Sequence, residues 1–154
     1  MKIIIDDLTS PLIADFLAQH LDDMRSVSPP ESSHALDIEA LKSPEITFWS
    51  VWEGDKLAGC AAIKELSPDH AEIKSMRTAS EFRKKGVASL LLEHILNISN
   101  ERGYKRISLE TGSMSFFHAA HRLYEKYGFV FCSPFGEYKE DPYSKFMSKE
   151  LCND

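Results

Sequence analysis

Apolar residues recur along the chain with two periods, and the switch between them outlines the fold. Val87, Leu91, Ile95 and Ile98 return at helical spacing with Ala88 and Leu92 beside them, which predicts a long amphipathic helix. Gly103 follows as its C-terminal stop. Ser10 and Pro11 supply an N-cap and a first-turn proline to an earlier helix with Leu12, Phe16, Leu17 and Leu21 on one face. A third helix is read in "FFHAAHRLYEKYG", ended by Gly128, and a short one falls around residues 38–42. Between them lie strands. Residues 3–5 predict a short buried strand, and "ITFWSVWEGDKLAGCAAIKEL" a hairpin turning at Glu53, Gly54, Asp55 and Lys56. Further strands are read at residues 71–78, at "KRISLE", at "FVFC" and at "SKFMSKEL", the last two flanking the loop "SPFGEYKEDPY". The resulting order is β-α-α-β-β-β-α-β-α-β-β. It predicts one α/β domain over residues 1–154, a mixed sheet with helices, and no repeat or linker.

Composition narrows the function classes. With 154 residues, 43% of them hydrophobic, the chain can bury a sizeable core. A net charge of −6 and a pI near 5.5 argue against a general nucleic-acid binder, which needs a broad basic face. Cys60, Cys132 and Cys152 are an odd set with no close pair, fitting neither a disulfide framework nor a zinc site. The opening "MKIIIDD" is too short and too acidic for a signal peptide, and no apolar run approaches the ~20 residues of a membrane helix. The expectation is a soluble, cytoplasmic protein without membrane attachment or metal.

One stretch does not follow from packing. In "SEFRKKGVASLLL" the cations Arg83, Lys84 and Lys85 crowd the start of the long helix, where the helix dipole disfavours them. Helix-opening amides are unpaired and suit an anion, above all a phosphate. Gly86 admits such a group to the backbone, and Ala88 is small. A nucleotide P-loop is excluded, since no Gly-Lys-Ser/Thr triplet is present.

Two motifs connect this loop to a family. "RKKGVA" and "AAHRLYEKYGF", in that order and on those elements, resemble the GNAT family of acetyl-CoA-dependent N-acetyltransferases. The resemblance covers roughly residue 49 to the C-terminus. It implies that the pyrophosphate of coenzyme A rests on the loop of Arg83, Lys84, Lys85, Gly86, Val87 and Ala88, with Ser89 next in line. It further implies that the pantetheine arm pairs, as an added strand would, with the backbone of Met76, Arg77 and Thr78. Two departures stand out. Phe117 occupies the position where many members carry an asparagine that contacts the cofactor, and Ser80 replaces a turn proline.

Amide formation from a thioester needs a neutral amine, and deprotonating a lysine-like amine at pH 7 costs about 4.6 kcal/mol. Tyr124 matches the family tyrosine that protonates the departing thiolate. For the base there are two carboxylates. Glu72 lies six residues before Thr78, on the same strand face at a period of two, and resembles the base glutamate of the histone-acetylating branch. Glu110 closes its strand at "LETG", where the resemblance places the acceptor opening. Glu72 is taken as the base and Glu110 as the reader of the acceptor's cation, with the opposite assignment open.

Other candidates divide similarly. Ser33 and His34, in "PPESSHALD", fall where the family builds acceptor specificity, and can equally cap the short helix. Phe135 and Tyr138 can wall the acceptor site. His118 and His121 have metal-like spacing but no third ligand, so a half-packed pair is expected. Cys132 lacks nucleophile partners and reads as a buried strand cysteine, while Tyr127 reads as structural. The resulting expectation is acetyl transfer from acetyl-CoA to a primary amine of a small molecule or peptide, by direct attack in a ternary complex. The competing reading is a non-catalytic acyl-CoA sensor. The resemblance also leaves room for a homodimer through the C-terminal strands.

Overall fold

The computed structural model describes residues 1–27 and 38–151. Its strands are β1 (Lys2–Ile5), β2 (Ile46–Glu53), β3 (Lys56–Ser67), β4 (His70–Thr78), β5 (Arg106–Gly112), β6 (Val130–Cys132) and β7 (Ser144–Glu150). They form one seven-stranded sheet in the order β1-β2-β3-β4-β5-β7-β6. The helices are α1 (Pro11–Val27), α2 (Ile38–Leu41), α3 (Val87–Glu101) and α4 (His118–Lys126). This is the element order the periodicity predicts. Strands β4 and β5 pair in parallel across the α3 crossover, and the other pairs are antiparallel. No helix among the described residues is long and apolar enough to cross a membrane.

Local signals explain most boundaries. Glu53 pairs with Lys56, so Gly54 and Asp55 make a two-residue turn, with Gly54 at φ +61°. The Ser10 hydroxyl accepts the Leu12 amide at 3.3 Å, capping α1. Two apolar readings shift. Strand β1 is a sheet edge and its Ile5 is 73% exposed, so its apolar run is not a buried one. The buried stripe of α1 is Ile13, Leu17 and His20, while Leu12 is 52% exposed one step around the helix.

Two apolar layers flank the sheet. On one face Val87, Leu91, Leu92 and Ile95 of α3 pack with Ala61, Ile63, Ala71, Ile73, Tyr124 and Phe129. On the other, Ile13 and Leu17 of α1 and Leu41 of α2 pack on Phe48, Cys60 and Ala62. Gly59 sets how closely α3 approaches the sheet. A Cβ there would lie 2.7 Å from the Arg77 carbonyl oxygen and 2.8 Å from Val87 Cγ1.

Strand β4 carries a bulge that decides the site. Cys60 faces Arg77 and Ala62 faces Lys74, so Ser75 and Met76 together oppose Ala61 alone. Ser75 takes up the extra residue at φ +55°. Before the bulge, Ala71 and Ile73 enter the α3 layer and Glu72 and Lys74 face the α1 side. After it the frame has slipped. Arg77 lies opposite Cys60 on the α1 side, and Thr78 lies opposite Gly59 on the α3 side. Glu72 and Thr78 therefore do not share a face, because an inserted residue interrupts the period of two.

Candidate active site at the split between β4 and β5

The β4–β5 ladder runs from His70–Arg106 to Ile73–Leu109 and stops. Strand β4 continues to Thr78, while Glu110, Thr111 and Gly112 of β5 keep only the pairing with β7 that runs along the whole strand. The backbone from Met76 to Thr78 thus has β3 on one edge, paired at Arg77 and Thr78, and among the described residues no strand on the other. That edge can accept an extended ligand with amide groups.

The loop between β4 and α3 lies at the end of this edge. A 3-10 turn (Ser80–Phe82) buries Phe82 and leaves Arg83, Lys84, Lys85 and Gly86 exposed. Lys84 and Gly86 both adopt left-handed conformations, at φ +62° and +83°. Gly86 is the N-cap of α3 and provides no side-chain cap, and the first turn carries no acid. The amides of Val87, Ala88 and Ser89 have no intrahelical acceptor. With Gly86 open on its Cβ side, this cradle fits a phosphate-bearing ligand in shape and in charge.

Tyr124 closes the other side of the split. Its side chain is 8% exposed, its ring meets Phe129 edge-on at 5.5 Å, and its hydroxyl donates to Met76 Sδ at 3.6 Å. Burial pushes the phenol up to about 12, so it stays protonated through the neutral range. Helix α4 is tied to the end of β5. His121 Nε2 donates to the Gly112 carbonyl at 2.8 Å, and a Cβ at Gly112 would overlap the Phe117 ring. His121 is thus buried and its pairing structural, and Phe117 packs against Gly112. Tyr127 donates to Glu93 at 2.7 Å, joining α4 to α3.

The two carboxylates differ sharply. Glu72 is 3% exposed, and its Oε2 accepts from the Tyr138 hydroxyl at 2.5 Å and from Lys74 Nζ at 3.1 Å. Lys74 also donates to the Tyr138 hydroxyl at 2.8 Å. Burial and the Glu72 charge push the Tyr138 phenol far upward. Phe135 meets Tyr138 and Phe146 edge to face, and Tyr138 and Phe146 are tilted against each other, with ring centroids 5.2 to 5.8 Å apart, which seats the β6–β7 loop on the sheet. Glu110 is half-buried and accepts from the Ser144 hydroxyl at 3.0 Å.

Arg77 turns its side chain to α1. Its Nη1 pairs with Asp23 at 2.8 Å and meets His20 Nδ1 at 3.4 Å, and the guanidinium lies over the Phe16 ring at 5.3 Å. Burial, then the Arg77 charge, holds His20 down at about 4, so the imidazole is neutral at pH 7. Lys74, His20 and Asp23 are the residues that sequence reasoning missed, and Tyr138, expected as apolar lining, enters through its hydroxyl on Glu72. A signal existed: apolar Ala71, Ile73 and Met76 and charged Glu72, Lys74 and Arg77 both slip by one at Ser75. Ser33 and His34 lie outside the described residues. Cys60 is buried, with its thiol pushed up to about 12, and Cys132 is partly exposed rather than buried.

A family model described as "Acetyltransferase (GNAT) family" matches residues 13–129. The chain belongs to the GNAT family. It is 56% identical over 98% of its length to all of YsnE, an uncharacterised N-acetyltransferase of Bacillus subtilis. It is 52% identical over 96% of its length to 92% of YedL, an uncharacterised N-acetyltransferase of Escherichia coli. The solved aminoglycoside 6'-N-acetyltransferase in complex with coenzyme A shares the fold, with a TM-score of 0.70 at 18% identity over 99% of this chain and 98% of that one. The chain is accordingly an acetyltransferase that draws on an acyl-CoA cosubstrate.

Proposed function

We propose that this enzyme acetylates a primary amine of a small molecule by direct attack in a ternary complex, in the cytoplasm. The observation that supports this best is the Tyr124 hydroxyl beside Met76, at the strand edge left open where β5 departs. In this reading the coenzyme A pyrophosphate lies on the amides from Arg83 to Ser89, and the arm pairs with Met76, Arg77 and Thr78. The thioester then reaches the split next to Tyr124. The amine attacks the carbonyl carbon, the C–S bond breaks, and the Tyr124 hydroxyl gives its proton to the leaving sulfur. Glu110 is better suited than Glu72 to take the ammonium proton. Glu72 is nearly inaccessible and its Oε2 is already engaged by Tyr138 and Lys74. Glu72 then holds the acceptor wall in place instead of meeting the amine.

Calorimetric titration with acetyl-CoA, dephospho-CoA and free pantetheine tests the loop. Saturable binding of both nucleotides, with a sharp loss for pantetheine, is the expected result. No binding at millimolar acetyl-CoA would overturn the reading. Amine-dependent thiol release separates the enzyme from a domain that holds acyl-CoA without turnover.

A further inference from the structure

We propose that the acceptor carries a carboxylate as well as its amine, and that Arg77 is the specificity-determining residue that receives it. The inference rests on the acceptor site proposed above and adds its substrate class, an amino-acid-like molecule. Arg77 is committed through one nitrogen. Asp23 and His20 both meet Nη1, whereas Nε is buried with no partner. Among the described residues Nη2 has no partner either. A buried donor left unpaired costs about 1–3 kcal/mol, so the molecule gains when something supplies an acceptor.

Nη2 is the guanidinium nitrogen left to donate to a carboxylate, and a second, parallel bond from the covered Nε forms once the carboxylate displaces what covers it. The group is already oriented: Phe16 lies beneath it and Asp23 anchors its far corner, so little side-chain freedom remains to be lost. Asp23 is 42% exposed, which leaves its attraction screened by water and the guanidinium able to hold a second anion. The neutral His20 adds no competing charge. Position completes the argument. Arg77 follows Met76, the residue that meets Tyr124, and lies beyond the last β4–β5 pair. Glu110 begins the part of β5 that leaves β4. An acceptor spanning the split would present its ammonium to Glu110 and its carboxylate to Arg77.

The test uses the full chain with acetyl-CoA and follows thiol release. The acceptors are the standard L-amino acids, their α-carboxamides and the matching decarboxylated amines. At least one amino acid should be turned over, with kcat/KM falling about 10- to 100-fold in its amide and amine, mainly through KM. Arg77→Gln should raise KM for the acid by the same factor relative to its amide, erasing the preference. Asp23→Asn, which keeps Arg77, should preserve or increase it. The wild-type panel needs no variant, so a misfolded Arg77→Gln protein would not stall the test. Amides or plain amines used as well as the acids would overturn the carboxylate assignment while leaving acetyl transfer to amines intact. Acetyl-CoA binding without turnover of any acid would likewise overturn it. Loss of acetyl-CoA binding itself would bring down the underlying reading as well.

Discussion

The two faces of β4 are built from different materials. On the α3 side the groups proposed to meet coenzyme A are mainly backbone: the strand edge at Met76 to Thr78 and the helix-opening amides after Gly86. On the α1 side the groups are side chains, and they are interlocked. Glu72, Lys74 and Tyr138 share one cluster, and Arg77, His20, Asp23 and Phe16 share another. A backbone site tolerates many side chains and is specified by glycine and chain path. A side-chain site depends on each partner, so a single substitution should spread through it. The donor is common to a family and the acceptor varies, and this division of materials suits both.

Tyr124 belongs to neither cluster, and its removal should have the largest effect. Tyr124→Phe should lower kcat by about 10²–10⁴, the range for a general acid. Acetyl-CoA affinity should hold, and so should stability, because the hydroxyl's one hydrogen bond among the described residues is a 3.6 Å bond to sulfur. Steady-state rates beside a thermal melt measure both. A variant with near wild-type turnover would reduce Tyr124 to a packing residue against Phe129.

Next comes the buried pair. Glu72→Ala leaves Lys74 buried without its counter-charge, and removing one partner of such a pair costs about 3–5 kcal/mol. Urea unfolding should show this loss, and Glu72→Leu combined with Lys74→Met should recover much of it. A catalytic base predicts the reverse: little change in stability and a collapse in rate. The comparison of faces would then need redrawing, with chemistry moved into the side-chain cluster.

These differences also explain what could be read from the chain. The element order, the Gly54 turn and the anion loop follow from local signals: period, glycine position and cations at a helix start. The motifs around Gly86 and Tyr124 carried the family. The α1-side clusters were hidden because they join residues far apart in sequence, Glu72 with Tyr138 and Arg77 with His20. The bulge compounded this. Counting in twos from Glu72 to Thr78 fails at Ser75, although the slip in apolar and charged positions around it was visible. The α1 stripe slipped too, because Leu12 is apolar and yet faces water.

His20 offers a titration of the side-chain face. An unfolded histidine takes its proton near pH 6.5, whereas burial and Arg77 delay this to about 4 in the folded protein. Between those values the unfolded state binds more protons, so acid favours unfolding. The stabilising contribution is complete above pH 6.5 and declines as the pH falls to 4, by about 3 kcal/mol. Urea midpoints across that window should drop more steeply for the wild type than for His20→Asn. Parallel curves would mean that His20 titrates normally and that Arg77 is less tightly enclosed.

Gly59→Ala probes the seam where the faces meet. The added methyl would press on the Arg77 carbonyl oxygen and on Val87 Cγ1, one on each neighbouring element. Overpacking of this kind costs about 1–3 kcal/mol, the smallest effect argued here, and the direction of relief is informative. If α3 yields, the loop moves away from the strand edge; acetyl-CoA affinity should fall while the acceptor KM stays fixed. If β4 yields, Arg77 is displaced and the acceptor KM should rise, with donor binding spared. We expect α3 to yield, because β4 is hydrogen-bonded to β3 at Cys60–Arg77 and Gly59–Thr78 while the first turn of α3 is held by packing. Donor and acceptor constants measured on one preparation decide between them, and a simultaneous change in both would show that the two faces are coupled through this glycine.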